Sequence, residues 1–437
     1  MDQPDTARQV RDLAVDFYRV SGVSLIVLGH WLAACVTYRE GEFGRQNPLV
    51  DQPWTQWLTW PFQAVPVFFL VAGYAGAVSW MHRCELDGIP RHTWLRHRLA
   101  RVLGPTAVYA GLVSLVVMIL AACGVARPAL DYAGWAVAMH LWFLAVYMVV
   151  VSLTPMAIAA HRHWGLRVPM TLAAVLAVTD VVSIHGGVPY IGALNYLMCW
   201  GLLYQLGIAW HGGMLAGTRS VVLAAGSAAA LALLIGLAHY PVSMIGVPGQ
   251  TVENSSPPSV AMLAFACAQT GAAMAIAPLL NRMLRPGVVQ RVLHTANANV
   301  MALYLWHMVP VIIVALVGYP FGLLPQPIEG TAAWWLTRLE WVIILAMLTA
   351  AEMSVLWWRR SFFAAPLPMV GVSLTTRWGE PVMLAGAAMA AYGIWLFAGA
   401  GFAPSGRFPW VTGLIFGVGV VLVALRPREV NQRPIGG

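Results

Sequence analysis

Side chains able to move protons stand where water should be scarce. The segment DFYRVSGVSLIVLGH, residues 16–30, sets Asp16, Arg19 and His30 on or within an apolar stretch. Arg19 and His30 are eleven positions apart, close to three helical turns. A helix therefore puts them on one face, about 16 Å apart along its axis. A strongly polar group at membrane depth is costly and ordinarily faces a protein interior or a wet cavity. His30 is thus a candidate general base. A neutral histidine bridging two helices by hydrogen bonds satisfies the same pattern, as does one lining an ion or proton path. Arg19 has a plainer use, snorkelling to the interface. Asp16 lies one turn earlier and can hold the Arg19 guanidinium, a structural role.

A second deep histidine lies far along the chain. MALYLWHMVPV, residues 301–311, carries Tyr304, Trp306 and His307 inside another apolar run. Tyr304 and His307 are three apart and share a helix face. If both segments run outward, the two histidines lie at one depth, so a common polar cavity is expected. No third and fourth ligands accompany them, and no metal is assigned. RHTWLRHRLARVLGP, residues 91–105, gathers Arg91, Arg96, Arg98 and Arg101 with His92 and His97. Guanidinium binds phosphate bidentately; attraction to anionic lipid is the commoner use of such a run. No G-x-S-x-G elbow occurs, and the cysteines show no activating arrangement. Cys35, Cys84, Cys123, Cys199 and Cys267 have no paired ligand spacing, and an odd number excludes a complete disulfide framework. They read as small apolar packers.

The elements that must position these residues follow from composition. Of 437 residues, 59% are hydrophobic and 10% charged, far below the charge of ordinary globular domains. Continuous apolar runs recur, each long enough to cross the hydrocarbon core as a helix, and they lack the alternation of a β-barrel. Twelve spans are predicted, at 16–38, 61–81, 102–124, 135–156, 168–184, 189–209, 218–238, 259–280, 298–318, 333–357, 381–400 and 409–425. The fold class is an all-α polytopic transmembrane bundle. The first span is expected to be a retained helix, since its acidic flank (Asp2, Asp5, Asp12, Asp16) does not resemble a signal peptide.

Orientation follows from arginine, which supplies every basic side chain apart from histidine. With the amino terminus cytoplasmic, twenty arginines, among them Arg8, Arg11, Arg428 and Arg433, fall on the inner side. Only Arg39, Arg45, Arg127, Arg338 and Arg407 fall outside. Both termini are then cytoplasmic. The net charge of +8 is scattered between apolar segments and not gathered on one solvated face, which argues against nucleic-acid binding. Segments 39–60 and 239–258 are expected as outer loops. No internal duplication is evident, which disfavours the inverted repeats of many transporters.

Five blocks together resemble the acyltransferase-3 family of polytopic membrane acyltransferases: DFYRVSGVSLIVLGH, VPVFFLVAGYAGA at 65–77, RHRLARVLGP at 96–105, HLWFLAVY at 140–147 and LYLWHMVP at 303–310. Their order and spacing agree over roughly residues 12–360. The resemblance implies a ten-helix acyltransferase core at 12–360, followed by two additional helices and a short tail within 361–437. It departs after the tenth span, where AEMSVLWWRRSFFAAPLP has Glu352 upstream and no Glu-Arg-Pro. No appended esterase-like domain is expected.

Carried onto this chain, the resemblance makes His30 and Arg19 the catalytic pair, with Asp16 and His307 in support. Arg96, Arg98 and Arg101 would meet the phosphates of acyl-CoA, a co-substrate that is not tightly bound. Phe68, Phe69, Trp142 and Tyr304 would shape the substrate tunnel, although core packing is an equally good use of such aromatics. The implied reaction moves an acyl group, acetyl by default, to a hydroxyl of a sugar, cell-envelope glycan or secondary metabolite at a bacterial inner membrane. Export of a small metabolite or lipid-linked sugar, and a noncatalytic assembly role, are the competing expectations.

Overall fold

Backbone amides within hydrocarbon must find partners inside their own segment, so uninterrupted apolar runs become helices. The computed structural model describes residues 12–372 and 376–427; Asp2, Asp5, Arg8, Arg11, Arg428 and Arg433 lie outside the described residues. The main helices are α1 (Leu13–Ala33), α2 (Val65–Trp80), α3 (Arg91–Ala122), α4 (Trp142–Ser152), α5 (Arg167–His185), α6 (Leu194–His211) and α7 (Thr218–Gly236). They continue as α8 (Val260–Met283), α9 (Gly287–Trp306), α10 (Val309–Gly318), α11 (Ala332–Trp358), α12 (Thr376–Ala400) and α13 (Trp410–Ala424). Among the described residues, ten helical stretches are long and apolar enough to cross a membrane. The bent pair α9–α10 makes an eleventh, and α13 is a shorter apolar helix. Every predicted segment is therefore mainly helical, and the protein is a polytopic membrane helix bundle.

Two local departures matter. The predicted span 298–318 begins earlier, at Gly287, and is broken by a 51° bend between α9 and α10. Pro310 accounts for the break: it has no N–H to donate, and its ring opposes the carbonyl four residues earlier, that of Trp306. The first span ends at Ala33, earlier than predicted. The chain then forms an antiparallel hairpin, β1 (Val36–Arg39) with β2 (Glu42–Arg45), pairing Val36 with Arg45. Segment 46–60, predicted as loop, is mostly short helical turns, so this end of the bundle carries a folded cap.

Side-chain ties between connections divide the bundle into two ends. Arg162–Glu85, Arg91–Glu380 at 2.9 Å and Asn281–Asp12 at 3.0 Å join the arginine-rich end. Gln326 bonds both the N–H and the carbonyl of Tyr38, and Thr59 accepts from the Met244 N–H, at the other end. These ties match the alternating path expected from the arginine distribution.

Close packing of α2 on α6 depends on glycine. A Cβ on Gly73 would sit 2.0 Å from the Tyr204 carbonyl oxygen, and one on Gly207 would sit 2.0 Å from the Leu70 carbonyl oxygen. Small residues let membrane helices approach in this way. Gly73→Ala should therefore push the helices apart and cost about 1–3 kcal/mol, read as a lower unfolding midpoint of the detergent-solubilised protein. Gly226→Ala on α7, where a Cβ meets open space, should leave the midpoint unchanged.

Candidate active site

α1 carries His30 in its last turn, and the α9–α10 break carries His307. The bend puts the two imidazoles together: His30 Nδ1 lies 2.8 Å from His307 Nε2. The other His307 nitrogen, Nδ1, lies 2.8 Å from the Tyr304 carbonyl oxygen. These contacts assign the tautomers, because a carbonyl only accepts. His307 Nδ1–H donates to Tyr304, so His307 Nε2 holds a lone pair and accepts from His30 Nδ1–H. His30 Nε2 is left with its lone pair, on a ring that lines a cavity of about 520 Å³. The chain of bonds therefore presents an oriented base.

The surroundings hold this pair in place. Trp31 Nε1 donates to the His307 carbonyl at 2.9 Å, and Trp341 Nε1 donates to the Trp31 carbonyl at 3.1 Å. The Tyr304 hydroxyl donates to the His140 carbonyl, fixing α9 against the turn that opens α4. His140 is the residue that sequence reasoning missed. Its ring centroid is 4.9 Å from that of His307 and 5.2 Å from that of Tyr304. It is buried and lines the same cavity, yet neither ring nitrogen makes a hydrogen bond of normal geometry; one only weakly faces the Leu305 carbonyl. A buried polar group without a partner is costly, and a ligand atom in the cavity would remove that cost. The signal was present in HLWFLAVY, a histidine opening an apolar run.

Other cavity walls come mainly from the arginine-poor end, including Asn47, Thr55, Thr59 and Ser255. Trp142 and Tyr304 line the cavity. Phe68 and Phe69 stand behind its lining residues: both pack against Phe143, with centroids 4.9 and 5.3 Å away, and Phe69 also stacks on Trp200.

Arg19 does not reach His30. Its Nη1 donates to Asn297 at 3.2 Å and lies 3.8 Å from Asp16 Oδ1, while Asn297 donates to Asp16 at 2.9 Å. This triangle ties α1 to α9 near the arginine-rich end; Asn297, unremarked in the sequence, is its hub. A second cavity of about 520 Å³ opens beside it, lined by Asp16, Gln290, Arg291 and His294. Arg96 is buried and donates to the Gly379 carbonyl at 3.2 Å, Arg98 lies over Trp94 at 4.9 Å, and Arg101 is exposed. None of the three lines either cavity. Among the described residues, no group of three or more His, Cys, Asp and Glu side chains is arranged to hold a metal ion.

Such a histidine cluster, in a cavity within a helix bundle, has the parts needed for proton transfer during acyl transfer. Comparison with known proteins agrees in class. No curated protein and no solved structure matches the chain. A family profile described as an acyltransferase domain matches residues 12–358, most of the sequence. The chain belongs to the acyltransferase-3 family and is a membrane acyltransferase.

Proposed function

We propose that the protein transfers an acyl group, acetyl by default, from acyl-CoA to a hydroxyl of a sugar, cell-envelope glycan or secondary metabolite. The donor arrives from the arginine-rich face, which the positive-inside bias makes cytoplasmic. The acceptor occupies the cavity that reaches His30 from the opposite face, at a bacterial inner membrane. The observation that carries this reading is the hydrogen-bond chain from the Tyr304 carbonyl through His307 to His30, which leaves His30 Nε2 as an acceptor facing the cavity.

The chemistry follows from that lone pair. His30 Nε2 takes the acceptor's hydroxyl proton as its oxygen bonds to the thioester carbonyl carbon. The resulting imidazolium keeps its Nδ1–H on His307 Nε2. The carbon–sulfur bond then breaks, the electron pair leaves on the CoA sulfur, and that sulfur takes the proton back from Nε2. His140, whose ring nitrogens make no hydrogen bond of normal geometry among the described residues, has an N–H to offer the developing oxyanion, a contact worth most in a water-poor cavity. Direct transfer needs no acyl-protein intermediate. Arg19 holds the α1–α9 contact through Asp16 and Asn297 and compensates charge at the donor end.

Mass spectrometry of membranes from matched deletion and complemented cells tests the assignment. One ester mass should disappear on deletion and return with the gene. Proteoliposomes that move solute without modifying it and consume no acyl-CoA would overturn it. For the donor side, replacing Arg96, Arg98 or Arg101 singly should raise the acyl-CoA KM about tenfold, the value of one charged hydrogen bond, with acceptor choice unaltered. Unchanged donor kinetics in steady-state assays would reject those three contacts.

A further inference from the structure

The cavity at His30 has a largely aromatic wall, with Trp142, Phe143, Trp334, Trp335 and Trp395 among its residues. Among the described residues that line it, Arg338 is the one side chain with a full formal charge. Arg338 comes from the outer end of α11 and is 7% exposed. It belongs to the arginine-poor end, so anchoring at the basic membrane face does not explain it.

Burying a guanidinium is expensive unless it is paired. Among the described residues, Arg338 has no carboxylate within ion-pair distance. Its Nε has no hydrogen-bond partner, and its Nη1 reaches the Ala34 carbonyl only at 3.4 Å. The Cys35 thiol and the Tyr319 hydroxyl are within hydrogen-bonding reach of it, and the guanidinium lies 5.3 Å from the Trp334 ring and 5.6 Å from the Trp341 ring. Glu329 is the carboxylate whose field it touches, but that group is bonded to Gln52 at 3.5 Å, and burial together with Asp51 pushes its pKa up. The guanidinium therefore lies near two indole rings and, among the described residues, meets only neutral partners.

Its place relative to the base can be read along α1. Arg338 reaches the carbonyl of Ala34, four residues beyond His30 and just past the end of the helix, and both Arg338 and His30 line the same cavity. We propose that Arg338 is an anion-binding residue of the acceptor site. It would select hydroxyl compounds that carry a carboxylate or phosphate on a flat or apolar body. The inference rests on the reading of His30 as the base that receives the acceptor.

Three probes built on one ring test it: 3-(hydroxymethyl)benzoate, the corresponding phenylphosphonate and the neutral 3-(hydroxymethyl)benzamide. Binding is followed by quenching of tryptophan fluorescence in detergent-purified full-length protein, with Trp334, Trp335 and Trp395 as reporters. At least one anionic probe should bind about tenfold or more tightly than the amide, and the better of the two identifies carboxylate or phosphate as the group read. Arg338→Gln should erase the preference, and Arg338→Lys should restore only part of it, because an ammonium lacks the planar fork. Equal binding of all three probes, no binding of either anion at millimolar concentration, or a preference that survives Arg338→Gln would overturn the proposal. Should Arg338→Gln not yield monodisperse protein, the amide-to-anion ratio in Arg338→Lys and wild type decides alone. The two readings fail separately. Arg338-dependent preference in a protein that acylates nothing removes the transferase reading, whereas acylation without the preference removes the anion site.

Discussion

His30→Ala should lower acyl transfer by about 10²–10⁴-fold, the usual contribution of a positioned general base, while the protein stays folded in the membrane. The expectation follows from geometry: the ring presents one lone pair to the cavity, and its other nitrogen is committed to His307 at 2.8 Å. Alanine leaves the hydroxyl without a proton acceptor. His30→Gln fills most of the space and offers an amide oxygen of negligible basicity, so it should be nearly as inactive. The measurement is acyl-CoA-dependent ester formation by purified protein, with size-exclusion profile and unfolding midpoint as controls. Transfer at the wild-type rate in either variant would remove His30 from the chemistry.

The second large effect is expected at His307, which does not line the cavity and which the proposed mechanism has act through His30. His307→Phe keeps a ring of similar volume and keeps the backbone carbonyl that accepts from Trp31. What it deletes is the acceptor for His30 Nδ1–H. The His30 ring is then free to turn or to carry its proton on Nε2, the tautomer that cannot serve as base. Turnover should fall on the order of 10²-fold, with the KM for acyl-CoA unchanged. A purely structural role predicts otherwise: lower protein yield and unfolding midpoint, with normal turnover in the surviving fraction. Wild-type kcat in a well-folded His307→Phe would end the relay interpretation.

Much of the bundle is legible in the sequence. The twelve apolar runs became helices because hydrocarbon leaves a backbone no other source of partners. His30 and His307 were conspicuous because a polar ring inside such a run needs a reason to be there. The Arg19–Asp16 pair was legible from helical spacing alone. What failed to announce itself was local or distant. Pro310 stood in view, yet whether a proline kinks a span or merely ends a turn depends on the neighbours that re-satisfy the freed carbonyl. Asn297 and His140 looked unremarkable because their importance lies in partners 281 and 164 positions away. Phe68, Phe69 and Trp142 are chemically alike in a sequence, and only packing sorts the wall of a cavity from the layer behind it.

Residue type and order alone determined that this chain must live in a bilayer, which of its ends is basic, and to which family it belongs. Only the tertiary structure decided which nitrogen of His30 is available and that, among the described residues, the His140 ring has no well-formed hydrogen bond and Arg338 has a cavity before it and no counter-ion. The physical reason is reach. Transfer free energies and helical periodicity act over one segment and can be summed along the chain. A hydrogen bond exists or not within a few tenths of an ångström, and in this protein those distances are set between helices hundreds of residues apart.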